Sequence, residues 1–165
     1  MPLARLAFLF LTLASLTAQE QSLGFEKGKL DTLPRSWFVA QQNGWTAKLV
    51  AGNTPAGDRF LQLASSEQSK GAGNVMSRVA DVASFAGKKV RLRAKIRVAG
   101  EGRAQMWLRV DRKGGQPGAI DNMGDRPLTL DRWAEAVIEL DVASDSVGMM
   151  LGVLAFGDVT VSIDE

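Results

Sequence analysis

The chain has 165 residues, 45% of them hydrophobic and 23% charged, and a formal net charge of +2. It contains no His, no Cys and no Tyr, which excludes a Ser-His-Asp triad, a Cys nucleophile, disulfides and every zinc site built on thiolate or imidazole. The isoelectric point of about 9.2 reflects the lack of groups that titrate near neutrality rather than a strong positive field, so nucleic acid is not implied as a partner.

The chain opens on Met1-Pro2-Leu3-Ala4-Arg5, runs apolar from Leu6 to Leu16, and turns polar at Thr17-Ala18-Gln19-Glu20. A short basic start, an apolar core and a small residue before the cut make a secretory signal peptide. The apolar core is shorter than the roughly 20 residues a membrane span needs. Ala18 suits the residue before the cut, although Leu16 fits its own position poorly. Residues 1–18 are therefore expected to be removed, and 19–165 to form one exported module, periplasmic or extracellular, with no membrane span after cleavage. The competing reading is a buried N-terminal helix.

Short strands are expected at 23–26, 44–50, 59–63 and 75–79, with polar, Gly-rich loops at 52–58 and 65–74 and a single helical turn at 83–86. Residues 90–98 alternate strictly, with Val90, Leu92, Ala94, Ile96 and Val98 apolar and Arg91, Arg93, Lys95 and Arg97 basic. That pattern predicts a half-buried antiparallel strand. Ala99-Gly100-Glu101-Gly102-Arg103 reads as a turn, and 104–111 alternates again, so the two runs are expected to pair as a hairpin. That pairing would set Lys95 beside Trp107. A strand is expected at 133–142. Residues 147–156 are almost wholly apolar and predict a strand buried on both faces. Gly157-Asp158 should turn the chain into a last strand ending at Ile163. The sum is an all-β fold, a two-sheet antiparallel β-sandwich or jelly roll.

Three segments, in order, carry a resemblance: Leu23-Gly24-Phe25-Glu26 with Leu33-Pro34-Arg35-Ser36-Trp37; Phe85-Ala86-Gly87-Lys88; and Trp107-Leu108-Arg109-Val110-Asp111, followed by Asp121-Asn122-Met123-Gly124-Asp125-Arg126-Pro127 and then Trp133. The set resembles carbohydrate-binding-module-like, galactose-binding-like jelly rolls. Its third part is similar to domains attached to tail-processing-type serine peptidases, to erythromycin-esterase-like proteins and to some bacterial regulators. It departs from the family at Leu23, where the family has Asn, and at Ile163-Asp164-Glu165, where the family's last strand continues. The resemblance implies a non-catalytic binding module, with any hydrolase activity in a separate domain.

Trp107 and Arg109 share one strand phase with Gln105 and Asp111. A ring beside fixed polar groups suits a sugar, which stacks its apolar face and bonds through its hydroxyls. The alternative is a ring that merely covers the sheet. Asp121, Asn122 and Arg126 either pin their own loop through an Asp–Arg pair or contact ligand at the rim. The stripe Arg91, Arg93, Lys95, Arg97 could meet an anionic polysaccharide or be neutralised by Glu135, Glu139 and Asp141. No cofactor follows from the residues themselves. Related modules imply a structural calcium near the first and last strands, with Glu26 and Asp164 as candidate metal ligands; the alternative is two unrelated exposed carboxylates. No Ser-x-x-Lys, Gly-x-Ser-x-Gly, phosphate loop or distinguished carboxylate pair is present, so no enzyme is expected. The expected function is glycan binding on a concave sheet face. The alternatives are an accessory domain linked to or associated with a secreted hydrolase such as a serine peptidase, or a structural, protein-interaction sandwich with no small ligand.

Overall fold

The computed structural model describes residues 24–40, 43–116 and 118–164. The expected signal peptide, its cut after Ala18 and Leu23 lie outside these residues. Eight strands follow in chain order: β1 Trp37–Val39, β2 Thr46–Ala51, β3 Arg59–Ala64, β4 Gly73–Arg78, β5 Lys89–Arg112, β6 Ile120–Asp121, β7 Ala134–Asp141 and β8 Ser146–Asp164. A 3-10 turn at Ala83–Phe85 matches the expected helical turn.

The expected hairpin does not form. Residues 90–98 and 104–111 belong to one strand, β5, which runs antiparallel to β8 from Lys95↔Asp164 to Arg112↔Ser146. Likewise Gly157-Asp158 does not end a strand but lies inside β8. Glycine sets the corner: Gly100 has φ 105 and Gly157 has φ 90, conformations that side chains rarely adopt. A Cβ on Gly100 would strike the Asp158 carbonyl, and one on Gly157 the Glu101 carbonyl. Without Cβ atoms the two-strand ribbon folds over on itself here, and each half joins a different sheet.

The first sheet has the order β2, β3, C-terminal half of β8, N-terminal half of β5, β7. The second has the order β1, β4, N-terminal half of β8, C-terminal half of β5, β6. All ladders are antiparallel, and the architecture is the expected two-sheet jelly-roll sandwich. The two halves of β5 face each other across the core instead of pairing edge to edge. Ile96, Val98, Met106, Leu108 and Val110 are all buried there, with Ile138 from β7 and Leu151, Val153, Val161 and Ile163 from β8. Leu92 and Leu140 pack against it half-buried.

Two short segments differ from expectation. The stretch beginning at Gly24 is a bend rather than a strand. Its Phe25 is buried and meets Trp37 with ring centroids 5.4 Å apart, so the apolar residue of the opening motif closes the sandwich without entering a ladder. The apolar run of β8 is buried on one face only. Met149, Leu151, Val153 and Ala155 point inward, whereas Met150, Leu154 and Phe156 lie half-buried on the outside and Val147 is 63% exposed. The outer phase of this strand therefore meets solvent in part although it is apolar.

Candidate functional site

The outer face of the second sheet is an apolar floor crossed by polar groups. Ladder register fixes its rows. Phe38 lies beside Met76, Met76 beside Gly152, and Gly152 beside Trp107. The next row holds Arg78, Met150, Arg109 and Ile120. On the other side Asn74 neighbours Leu154, and Leu154 neighbours Gln105. Arg103 closes that end, its guanidinium 4.4 Å from the centre of the Phe156 ring.

Trp107 is on this face, as its strand phase requires, but its ring is not offered to solvent. It is only 7% exposed, and its Nε1–H donates to Asn74 Oδ1 at 3.0 Å. Asn74 lies two strands away on β4. The ring crosses β8 at Gly152, where an added Cβ would come within 2.9 Å of Trp107 Nε1. The expectation of an exposed stacking platform is thus corrected: a glycine beneath the ring lets it lie flat and bury itself. Lys95 is not its cover, since Lys95 belongs to the first sheet.

Arg109 is half-exposed on the same face. Asp111 holds it through Nε–Oδ1 at 3.0 Å and Nη2–Oδ2 at 3.2 Å. Its Nη2 also lies 3.5 Å from Met150 Sδ, which fixes the guanidinium plane above the floor. At this end of the face a groove of about 630 Å³ opens between Arg78, Val82, Arg109, Asp111, Val147 and Met150. Sequence reasoning missed Arg78, Met150 and Phe38. Met150 lies in a run too uniformly apolar to show a phase, Phe38 lies in no expected strand, and only pairing across β4 and β8 brings Arg78 and Met150 beside Arg109.

Asp121, Asn122 and Arg126 form the rim. Asp121 Oδ1 accepts the Met123 N–H at 2.8 Å, Asn122 Oδ1 accepts the Gly124 N–H at 3.1 Å, and Arg126 bonds both Asp121 and Asp125. The Arg126 guanidinium holds the Asp121 carboxyl below the usual carboxylate range, and Asp121 raises Arg126 in turn. Met123, at φ 51, is buried as the plug of the loop. The loop is therefore pinned by its own side chains, and Asn122 stays exposed at its edge.

The basic stripe lies on the outer face of the first sheet and is matched by carboxylates. Arg91 pairs with Glu139, Lys95 lies 3.8 Å from Glu135, and Arg97 bonds Asp131 at 2.6 Å.

Glu26 and Asp164, from opposite ends of the chain, meet at one loop. Ala56 N–H donates to Asp164 Oδ2 at 3.1 Å, and Asp58 N–H donates to Glu26 Oε2 at 3.4 Å. Gly57, between them, has no room for a Cβ against the Glu26 carboxylate. Asp164 is 1% exposed, a buried acid rather than an exposed one. Among the described residues no donor reaches Asp164 Oδ1 or Glu26 Oε1, and carboxylate oxygens are the type that suits a hard cation. Among the described residues no three acidic side chains gather into one metal-sized group.

No protein-family model matches the chain. It is 28% identical over 145 residues to an uncharacterized HTH-type transcriptional regulator, YbfP, of Bacillus subtilis, covering 78% of this chain and 48% of the regulator. The chain thus spans about half the length of that curated relative. Among solved structures it is similar to the CBM22-1 xylan-binding domain from Paenibacillus barcinonensis, with TM-score 0.63, 13% identity, and coverage of 86% of this chain and 87% of that one. It is also similar to the CBM22-1–GH10 modules of Clostridium thermocellum endo-1,4-β-D-xylanase 10B, with TM-score 0.59 and 12% identity, over 78% of this chain and 25% of that chain. The likeness extends to the jelly roll of carbohydrate-binding modules. Among the described residues no helix is long and apolar enough to cross a membrane.

Proposed function

We propose that this sandwich is an exported, non-catalytic module that binds polysaccharide across the outer face of its second sheet. The observation that carries this reading is the face itself: an apolar floor of Phe38, Met76, Met150 and Leu154, edged by Arg78, Arg109, Asp111 and Gln105, with a groove of about 630 Å³ open at its Arg109 end. Apolar ground with few fixed polar groups is how sugar sites combine stacking and hydroxyl recognition. The jelly-roll likeness to xylan-binding domains supports it. Arg109 is the central polar contact, with Asn122 at the rim; Asp121 and Arg126 shape that rim. A structural calcium at Glu26 and Asp164 belongs to the same reading, its remaining ligands drawn from loop carbonyls and water. Its role would be to tie the two ends of the chain to the 54–58 loop, without taking part in binding.

Affinity electrophoresis of the purified chain through gels of xylan, agarose and mixed-linkage glucan tests the module. Retardation by at least one polymer, reduced in Arg109→Ala, is the expected result; mobility unchanged in every gel sinks it. Export is tested by mass spectrometry of secreted material, which should lack residues 1–18. The likeness to half of a transcriptional regulator supports a second reading, in which the same face reports a sugar to a neighbouring domain. A linked hydrolase is the further arrangement that the modules of the xylanase illustrate.

A further inference from the structure

The groove at the end of the outer face contains four charged side chains, Arg78, Asp81, Arg109 and Asp111. Three have partners inside the protein. Asp111 is bonded to Arg109, and Asp81 Oδ1 accepts the Ser84 N–H at 3.3 Å. Arg78 is exposed, and its side chain makes no hydrogen bond or ion pair with any described residue. Its register partner is Met150, and Met150 is also the register partner of Arg109. The two guanidiniums therefore flank one thioether from adjacent strands on either side, roughly 10 Å apart at the backbone given two ladder spacings.

This arrangement selects a ligand chemistry. Met150 and Val147 offer apolar ground for a sugar ring, and Arg109, already neutralised by Asp111, offers a planar donor to hydroxyls. Arg78 offers an uncompensated planar fork, a geometry that matches a carboxylate through two parallel N–H bonds. A neutral sugar would leave that charge unanswered. We propose that the groove takes a uronate residue, the acidic sugar of a carboxylated polysaccharide, with its carboxylate on Arg78 and its ring on Met150. The proposal rests on the outer face being the glycan site.

The test compares glucuronoxylan with the same polymer after reduction of its carboxyls, by titration calorimetry on the full chain, with Arg78→Gln and Arg78→Lys. The expected result is that the wild type binds the acidic polymer about 10- to 100-fold more tightly than the reduced one, the range for a charge-assisted bond. Arg78→Gln should erase that difference, the variant binding the two polymers with equal affinity, and Arg78→Lys should restore it only in part. Added salt should weaken the acidic polymer alone. Equal binding of both polymers by the wild type would overturn the uronate assignment and leave the module intact. A preference for the acidic polymer that survives in Arg78→Gln would also overturn it, because the carboxylate would then sit elsewhere. Failure of both polymers and of every neutral glycan would overturn the module and this proposal together.

Discussion

Trp107 shows how one residue's environment decides its role. An outward ring on an edge-proximal strand suggests stacking, but Gly152 beneath it and Asn74 beyond it convert it into the lid of its own sheet. Trp107→Ala should therefore destabilise the fold by about 3–5 kcal/mol, as for other buried aromatics. A melting temperature within a degree of wild type would mean that the ring is not held as described. Gly152→Ala would set a methyl against the Val75 carbonyl oxygen and 2.9 Å from Trp107 Nε1, so it should lower the melting temperature as well as displace the indole. Leu108, fully buried between the sheets, should cost about 2–5 kcal/mol as Leu108→Ala in chemical denaturation. A loss under half of the lower bound would mean the inward phase of β5 is wrongly assigned, since a one-residue slip exchanges the faces.

At the level of elements, the corner of the β5–β8 ribbon and the rim loop are the two features that shape the site. Gly157→Ala would force a side chain into a left-handed conformation and against the Glu101 carbonyl, at a cost of about 1–3 kcal/mol. Gly114→Ala is the control: its φ is also positive, at 71, but nothing lies within 4 Å of an added Cβ, so its penalty should be the smaller one in the same denaturation assay. The rim carries a pH dependence. Because Arg126 lowers the Asp121 carboxyl in the folded chain, the folded state binds fewer protons than the unfolded one. The resulting stability is present above the ordinary Asp range of about 3.9 and is lost as pH falls through the lowered value. Asp145, bonded to Arg112 at 2.8 and 3.0 Å, behaves in the same sense. Melting temperatures should fall on acidification below pH ~4, and the fall should be shallower in Asp121→Asn. An identical slope in the two proteins would remove Asp121 from the account.

For the whole molecule, the chain's two ends matter most. Glu26 and Asp164 converge on the 54–58 loop, just before β3, which pairs with the C-terminal half of β8. If a divalent cation sits there, as proposed, it ties both termini of the sandwich and stabilises only the folded state. Calcium at 1 mM should raise the melting temperature of chelator-treated protein by several degrees, and Asp164→Asn should abolish the increment. An unchanged melting temperature with calcium and with chelator alike would reduce the pair to two hydrogen-bonded carboxylates.

The sequence by itself determined the class of fold and the inward phase of its strands. Period-two alternation at 90–98, 104–111 and 133–142 identified Ile96, Met106, Leu108 and Ile138 as core, because side-chain direction in a strand follows from parity alone. Those residues are buried in the structure. Tertiary structure decided which strands meet. Two alternating runs separated by Gly-x-Gly look like a hairpin, yet here the glycines bend a continuous ribbon, and the choice depends on β8, some 50 residues downstream in the chain, being there to pair with both halves. Parity likewise put Trp107 and Arg109 on the outside, but could not reveal that a glycine on β8 and an amide on β4 would bury the first and leave the second exposed beside Arg78. Those contacts cross strands that are distant in sequence, and no local pattern records them.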